Sequence, residues 1–235
     1  MEIKEHENWK NVYIVEQEDG TYKLATKNLV KGQRVYGEKL YQYNGVEYRE
    51  WNAYRSKLAA ALLKGLEELP VKEKDKILYL GIASGTTASH MSDIIGNEGI
   101  IFGIEFSPRV IRDLLLIVND RRNIFPILAD ARFPENYRHM IETVNGLYAD
   151  VAQPEQAQIV VRNAKFFLNE GGYLLLAVKS RSIDVTKEPT EIYKMETQEL
   201  EKGGFEIKDI IHLDPFDKDH AMIYGIYHII HRIYI

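Results

Sequence analysis

Between residues 78 and 87 the chain reads Leu-Tyr-Leu-Gly-Ile-Ala-Ser-Gly-Thr-Thr, an apolar run giving way to small residues at every second place. Glycine or alanine at 81, 83 and 85 lets a backbone turn sharply and approach a ligand closely. A helix starting after such a turn aims free amides at that ligand, a seat for a carboxylate or phosphate. Glu105 stands twenty-four residues beyond Gly81, where an acid can accept hydrogen bonds from both hydroxyls of a ribose. Asp130-Ala131 closes a further apolar run, where an adenine would lie. The dinucleotide fingerprint needs glycine at the first, third and sixth places, and here those are Gly81, Ala83 and Thr86. No Gly-Lys-Ser/Thr follows, which excludes a P-loop. The alternation Gly81-x-Ala83-x-Gly85 fits the methyltransferase loop, in which methionine replaces the pyrophosphate. S-adenosylmethionine is therefore the expected cofactor.

Two further residues stand where strands should end, Asp150 in the segment 149–154 and Lys179 after the apolar run 173–178. Ligands bind outside the carboxyl ends of strands in open α/β sheets. A carboxylate and an ammonium there could align a hydroxyl with an activated methyl group and help remove its proton. Partial desolvation of Lys179 would lower its pKa toward that of a base, with Asp150 pulling the other way. Plainer readings exist for both: a solvated strand-end lysine, and a cap on the helix after Pro154.

Metal chemistry is not expected. Cysteine is absent, which removes thiolate zinc sites, disulfides and a cysteine nucleophile together. Asp214, Asp217, Asp219 and His220 lack the glycine and terminal glutamate of a calcium loop and read as an acidic turn. His228 and His231, three apart on a strand, would face opposite ways. Arg109, Arg112, Arg121 and Arg122 are expected on the solvated face of one helix.

The elements that must position these groups follow from pattern. Residues 11–17 and 21–29 read as strands around Asp19-Gly20, and residues 33–52 continue in the same β style with Asn44-Gly45 as a turn. Residues 56–69 are rich in helix formers, with Pro70 as the expected stop. Strand and helix signals then alternate: strands at 76–82, 99–106, 123–130, 146–152 and 173–180, helices at 86–95, 109–122, 155–170 and 189–202. Such alternation implies parallel, right-handed β-α units. The closing strands, 205–213 and 220–230, share a short loop and should form an antiparallel hairpin at the sheet edge. The predicted organisation is a small β domain over residues 1–53 and an α/β domain over 54–235.

At 235 residues, 45% hydrophobic and 28% charged, the composition is that of an ordinary globular chain. No apolar run approaches the ~18–20 residues of a membrane-spanning helix, so no membrane partner is expected. The polar, acidic start lacks the order of a secretory signal, which points to the cytoplasm. Net charge is −5 and the pI about 5.9. Tight nucleic-acid binding rests on Lys and Arg neutralising phosphates, so any RNA grip here should be local or supplied by a partner.

Several long blocks resemble fibrillarin, in that family's order: LYLGIASGTTASHMSDIIG, IEFSPR, LADARFP, ADVAQPEQ, KSRSID and DPFDKDHA, led by REWNAYRSKLAAALLKG. The likeness is to the archaeal form, since the Gly/Arg-rich tail of the eukaryotic form is missing. It implies a Rossmann-like seven-stranded methyltransferase sheet with the last strand antiparallel, behind a small N-terminal β domain. The implied activity is methylation of ribose 2′-hydroxyls of rRNA and tRNA, with S-adenosylmethionine as methyl donor and a box C/D guide RNA choosing the target. The implied protein partners are a Nop-domain coiled-coil scaffold and a kink-turn-binding ribosomal protein; tyrosines of the N-terminal part would suit docking to the scaffold. Site residues implied are a catalytic set of Lys57, Asp150, Lys179 and His220. The preferred roles make Lys179 the proton acceptor, Asp150 the orienting carboxylate, and Lys57 and His220 the groups that position the substrate or its phosphate. Cofactor contacts are expected from Gly81, Ala83, Gly85, Thr86, Thr87, Glu105, Phe106, Asp130, Ala131, Asp150 and Gln153. Asn145-Gly146 departs from the family pattern and should alter a local turn.

Overall fold

The computed structural model describes residues 1–184 and 186–229; His231 and the rest of the aliphatic ending lie outside them. Strands β1 (Glu2–Glu5), β2 (Val12–Glu16), β3 (Tyr22–Lys27), β4 (Leu40–Tyr43) and β5 (Val46–Glu50) form an antiparallel sheet in the order β1-β2-β3-β5-β4. Asn44 and Gly45 both take positive φ, 49° and 78°, as a two-residue hairpin between right-twisted strands requires. Strand β1 has no counterpart in the sequence reading. It is an edge strand in which Ile3 alone is buried, so its sequence alternates too weakly to announce it.

A second sheet has the order β11-β12-β10-β9-β6-β7-β8. Its strands are β6 (Lys76–Leu80), β7 (Ile100–Glu105), β8 (Ile124–Leu128), β9 (Val144–Ala149), β10 (Leu168–Lys179), β11 (Phe205–His212) and β12 (His220–Tyr227). The neighbouring pairs from β8 to β10 are all parallel; β12 runs antiparallel between β10 and β11. The closing hairpin is at the edge as expected, with β11 outermost. Helices α2 (Thr86–Ile95) and α3 (Pro108–Val118) pack with α1 (Lys57–Leu63) on one face, and α4 (Gln156–Phe167) and α6 (Pro189–Lys202) on the other; a short α5 (Ser180–Ile183) follows β10. Among the described residues no helix is long and apolar enough to cross a membrane.

Several boundaries differ from the sequence reading; among them, α4 ends at Phe167 and β10 begins at Leu168, ahead of the expected helix end at 170. Helix α1 stops at Leu63 rather than before Pro70: Gly65 takes φ 110°, and the Leu66 amide donates back to the Ala61 carbonyl, 2.9 Å, closing the helix. Helix α3 ends at Val118, so Arg121 lies beyond it. Gly146 sits inside β9, where a Cβ would meet the Tyr173 ring at 2.0 Å; the departure at 145–146 makes room for an aromatic instead of changing a turn.

The two sheets share one core. Trp9, Val12, Leu24 and Trp51 pack in the same apolar cluster as α1, α2 and the near face of the second sheet. Beside it lies a buried ionic junction. Arg49 contacts Glu38 at 2.6 Å and Asp93 at 2.9 Å, and Arg121 contacts Asp93 at 2.5 Å. Burial acts to raise Glu38, yet Arg49 and the Tyr36 and Val35 amides hold it below the usual carboxylate value. His90, enclosed there with Thr26 and Tyr36, is kept neutral, first by burial and then by the two guanidinium groups. Arg121 thus departs from the expected solvated face: at 2% exposure it balances Asp93. Arg109, Arg112 and Arg122 are exposed.

On the opposite face, the Glu196 carboxylate of α6 accepts a hydrogen bond from the Ala157 amide at the start of α4. Burial pushes its pKa up to about 7. A carboxyl raised in the native state contributes stability fully present below its unfolded value and lost as pH rises through about 7. The span corresponds to about 3 kcal/mol. Glu196→Gln, which keeps an acceptor and cannot ionise, should therefore be the more stable protein by about 1–3 kcal/mol above pH ~8 and no more stable near pH ~4. Melting curves at the two pH values check this.

Candidate active site

The chain leaves β6 for β7 and β8 on one side and returns to place β9 on the other. This reversal makes the crevice outside the carboxyl ends of β6 and β9 the natural ligand seat. A cleft of about 180 Å³ opens there, lined by residues from the ends of four successive strands: Gly81 after β6, Glu105 and Phe106 after β7, Asp130 after β8, and Asp150 after β9.

The turn that builds it is as tight as its composition suggested. Gly81, Ala83 and Gly85 all take positive φ, 74°, 52° and 86°. A Cβ at residue 81 would lie 2.4 Å from the Asp150 carbonyl oxygen, so only glycine lets the loop pass the end of β9. At residue 85 a Cβ would meet the Leu114 side chain at 2.8 Å, which seats the start of α2 against α3.

Glu105 is buried, and its two oxygens are aimed by backbone amides. Ala83 donates to one at 3.2 Å and Ser107 to the other at 2.9 Å. The acid is thereby tied to the loop before any ligand arrives, with lone pairs left to accept from vicinal hydroxyls. Asp130 is held by Arg132, whose guanidinium and amide both donate to it; that contact keeps its carboxyl below the usual range. Phe106, widely exposed, forms the lip of the cleft.

Of the residues expected at the cofactor, Gly81, Ala83, Glu105, Phe106, Asp130, Ala131, Asp150 and Gln153 line the cleft, whereas Gly85, Thr86 and Thr87 do not. The Thr87 hydroxyl donates instead to Ser56, 2.9 Å, the N-cap of α1. It ties α2 to the helix that carries Lys57.

Lys57 and Asp150, 93 residues apart, meet at 2.5 Å, both half-buried. Asp150 is therefore not the cap of α4; Glu155 holds that place without a side-chain bond. Lys179 ends β10 beside β9: Leu176 lies opposite Ala149, so Lys179 stands two residues past the level of Asp150. The expected desolvation of Lys179 is not found. Its side chain is exposed, and no hydrogen bond or ion pair holds it among the described residues, because β10 carries it past the cleft wall. His220 pairs in register with Lys179 across β10 and β12, and its ring is buried. The structure thus joins Lys57 to Asp150 directly and Lys179 to His220 through the strands.

Sequence reasoning missed the side chains that hold this set in place. Ser56 is legible as a helix cap, though nothing local reveals that Thr87 reaches it. Tyr79 of β6 and Tyr148 of β9 pair across the sheet, ring centroids 4.5 Å apart, and read in sequence as ordinary strand residues.

The order of the seven strands is that of Rossmann-like methyltransferases, and the cleft opens where that class keeps its nucleoside. Comparison with known proteins narrows the class. A family model for fibrillarin matches residues 3–229. The fibrillarin-like rRNA/tRNA 2′-O-methyltransferase of Aeropyrum pernix is 73% identical over 226 residues, covering 96% of this chain and 97% of that one. The crystal structure of Aeropyrum pernix fibrillarin with natively bound S-adenosyl-L-methionine aligns with a TM-score of 0.91 at 72% identity, over 96% of this chain and 98% of that one. A fibrillarin/Nop5p complex aligns with a TM-score of 0.84 at 42% identity, over 94% and 99%. The chain belongs to the fibrillarin family.

Proposed function

We propose that the chain methylates ribose 2′-hydroxyls of rRNA and tRNA, using S-adenosylmethionine, as the catalytic subunit of a box C/D guide-RNA particle. The observation that carries this reading is the Lys57–Asp150 pair, set at the mouth of a nucleoside-sized cleft in a chain of this family. When bound, the cofactor supplies a methyl group already activated on a sulfonium.

The residues fit that group. Glu105 would hold the ribose hydroxyls, Asp130 and Ala131 the adenine side, and Gly81 the close backbone approach. The chain's own task is to place a weakly nucleophilic hydroxyl and provide for its proton. Asp150 orients that hydroxyl, and Lys57 fixes the carboxylate from the other side. The exposed Lys179, with Lys218 nearby on the loop before β12, is placed to meet RNA phosphate. A proton-accepting role for Lys179 would need the burial it lacks.

Net charge of −5 agrees with partners supplying most of the RNA grip. We place the scaffold's docking surface away from the N-terminal tyrosines, of which Tyr22 alone is widely exposed. Leu115 and Leu116 of α3 with Phe125 and Leu128 of β8 give a broader apolar face at the sheet edge. A kink-turn-binding ribosomal protein and the guide RNA complete the particle, and the compartment is the cytoplasm.

Labelled cofactor tests the reading. Label should enter RNA at the guided ribose in the reconstituted particle; label entering protein, or no RNA, would overturn it. Glu105→Ala should weaken S-adenosylhomocysteine binding by about 10–100-fold in calorimetry, the loss of charge-assisted hydrogen bonds.

A further inference from the structure

The loop between β11 and β12 does more than turn the chain. The Nδ1 atom of His220 lies 2.8 Å from the Lys218 carbonyl oxygen and 2.9 Å from an Asp217 carboxylate oxygen. A main-chain carbonyl only accepts, and so does a carboxylate, so Nδ1 must carry the hydrogen. That holds whether the ring is neutral or charged. The atom that gains and loses a proton is then Nε2.

His220 stands at the end of the same sheet that carries Asp150, one strand beyond β10 and two positions past the level of Asp150 in register. His220 is opposite Lys179 in the β10–β12 register, and Ser180 clamps the loop by donating twice to the Asp219 carbonyl, each at 3.0 Å. Phe216, beside Asp217, meets the Tyr54 ring edge-on at 5.1 Å, three residues before Lys57. Asp150 and Asp217 also both act on the buried Tyr148 phenol. Burial first, then Tyr79 and these two carboxylates, push it well above its usual value.

We propose that Asp217 is a positioning residue: with the Lys218 carbonyl it fixes the hydrogen of His220 on Nδ1 and presents Nε2 as the proton acceptor for the ribose hydroxyl. The inference rests on the methyl-transfer reading above. As the 2′-oxygen bonds to the methyl group, the bond from that methyl to the sulfonium sulfur would break with its electron pair left on sulfur, while the O–H bond breaks and the proton passes to Nε2. The imidazolium so formed lies against the Asp217 carboxylate and returns the proton to water. A purely structural Asp217 would fasten the loop and leave the choice of ring nitrogen untouched.

The test reads the ring and the rate separately. Long-range nitrogen–hydrogen spectra of protein with labelled histidine, with the His220 signals identified by loss in His220→Gln, should show Nε2 as the bare nitrogen of the neutral ring. In Asp217→Ala the Lys218 carbonyl is left as the acceptor on Nδ1, and the tautomer with hydrogen on Nε2 should become detectable beside the first. kcat should fall on the order of 100-fold while KM for guided RNA stays within about threefold. Asp217→Asn, which keeps an acceptor oxygen, should restore the single tautomer and most of the fold. A bare Nδ1 in the wild-type ring overturns the proposal, as does an Asp217→Ala protein with unchanged ring spectrum and kcat. If Asp217→Ala does not fold, the wild-type and Asp217→Asn spectra decide. A wild-type particle unable to methylate guided RNA would sink the function instead, leaving the ring spectrum to decide the Asp217 contact.

Discussion

Asp150→Ala should lower kcat for methyl transfer by about 10²–10⁴-fold while changing S-adenosylhomocysteine affinity by less than about tenfold. The asymmetry follows from what the residue touches. Its backbone carbonyl is where Gly81 makes its close approach, and alanine leaves that backbone in place. Its side chain bonds Lys57 at the cleft mouth, away from the Glu105 end that would hold the nucleoside. The substitution also leaves Lys57 half-buried without its partner, so Lys57→Met is the companion variant. It should lose rate as well, and the double variant should lose little more than Asp150→Ala alone, because the two act as one unit. Single-turnover rates on guided RNA check both. Full activity in folded Asp150→Ala would remove the orienting carboxylate from the account.

The largest effect on stability is expected far from the chemistry. Arg49→Ala should destabilise the protein by about 3–5 kcal/mol in urea unfolding, since it strands two buried acids. Glu38 would lose its counter-charge outright, and Asp93 would keep only Arg121. A loss of that size is a large part of the 5–15 kcal/mol that typically separates folded from unfolded chains. Arg49→Lys should recover only part of it, because an ammonium cannot reach Glu38, Asp93 and Ser89 as the guanidinium fork does. A cost below about 1 kcal/mol for Arg49→Ala would mean the junction is not closed as described.

That junction marks where reading the chain directly met its limit. Short-range signals proved legible: the small residues at 81, 83 and 85 because each needs positive φ, and Asn44-Gly45 because a two-residue hairpin demands it. Helix α6 begins at Pro189 and ends before Gly203 as its flanking residues suggested. The acids at 105 and 150 were legible from their places after apolar runs. What stayed hidden depends on partners distant along the chain. Arg121 looked like one more exposed arginine, and its partner Asp93 is 28 positions away. Thr87 belongs to the most recognisable loop, yet its hydroxyl serves Ser56 on another helix. Lys179 was expected to be desolvated because an apolar run precedes it; the strand carries it out past the wall. Pairing across 93 residues, as between Lys57 and Asp150, is set by topology and leaves no local trace.

The most direct check is a crystal structure of the protein with S-adenosylhomocysteine bound. The account predicts the ribose hydroxyls on Glu105, the adenine beside Asp130 and Ala131, and the sulfur turned toward Asp150. A nucleoside seated elsewhere, or one whose sulfur faces away from Asp150 and Lys57, would contradict it.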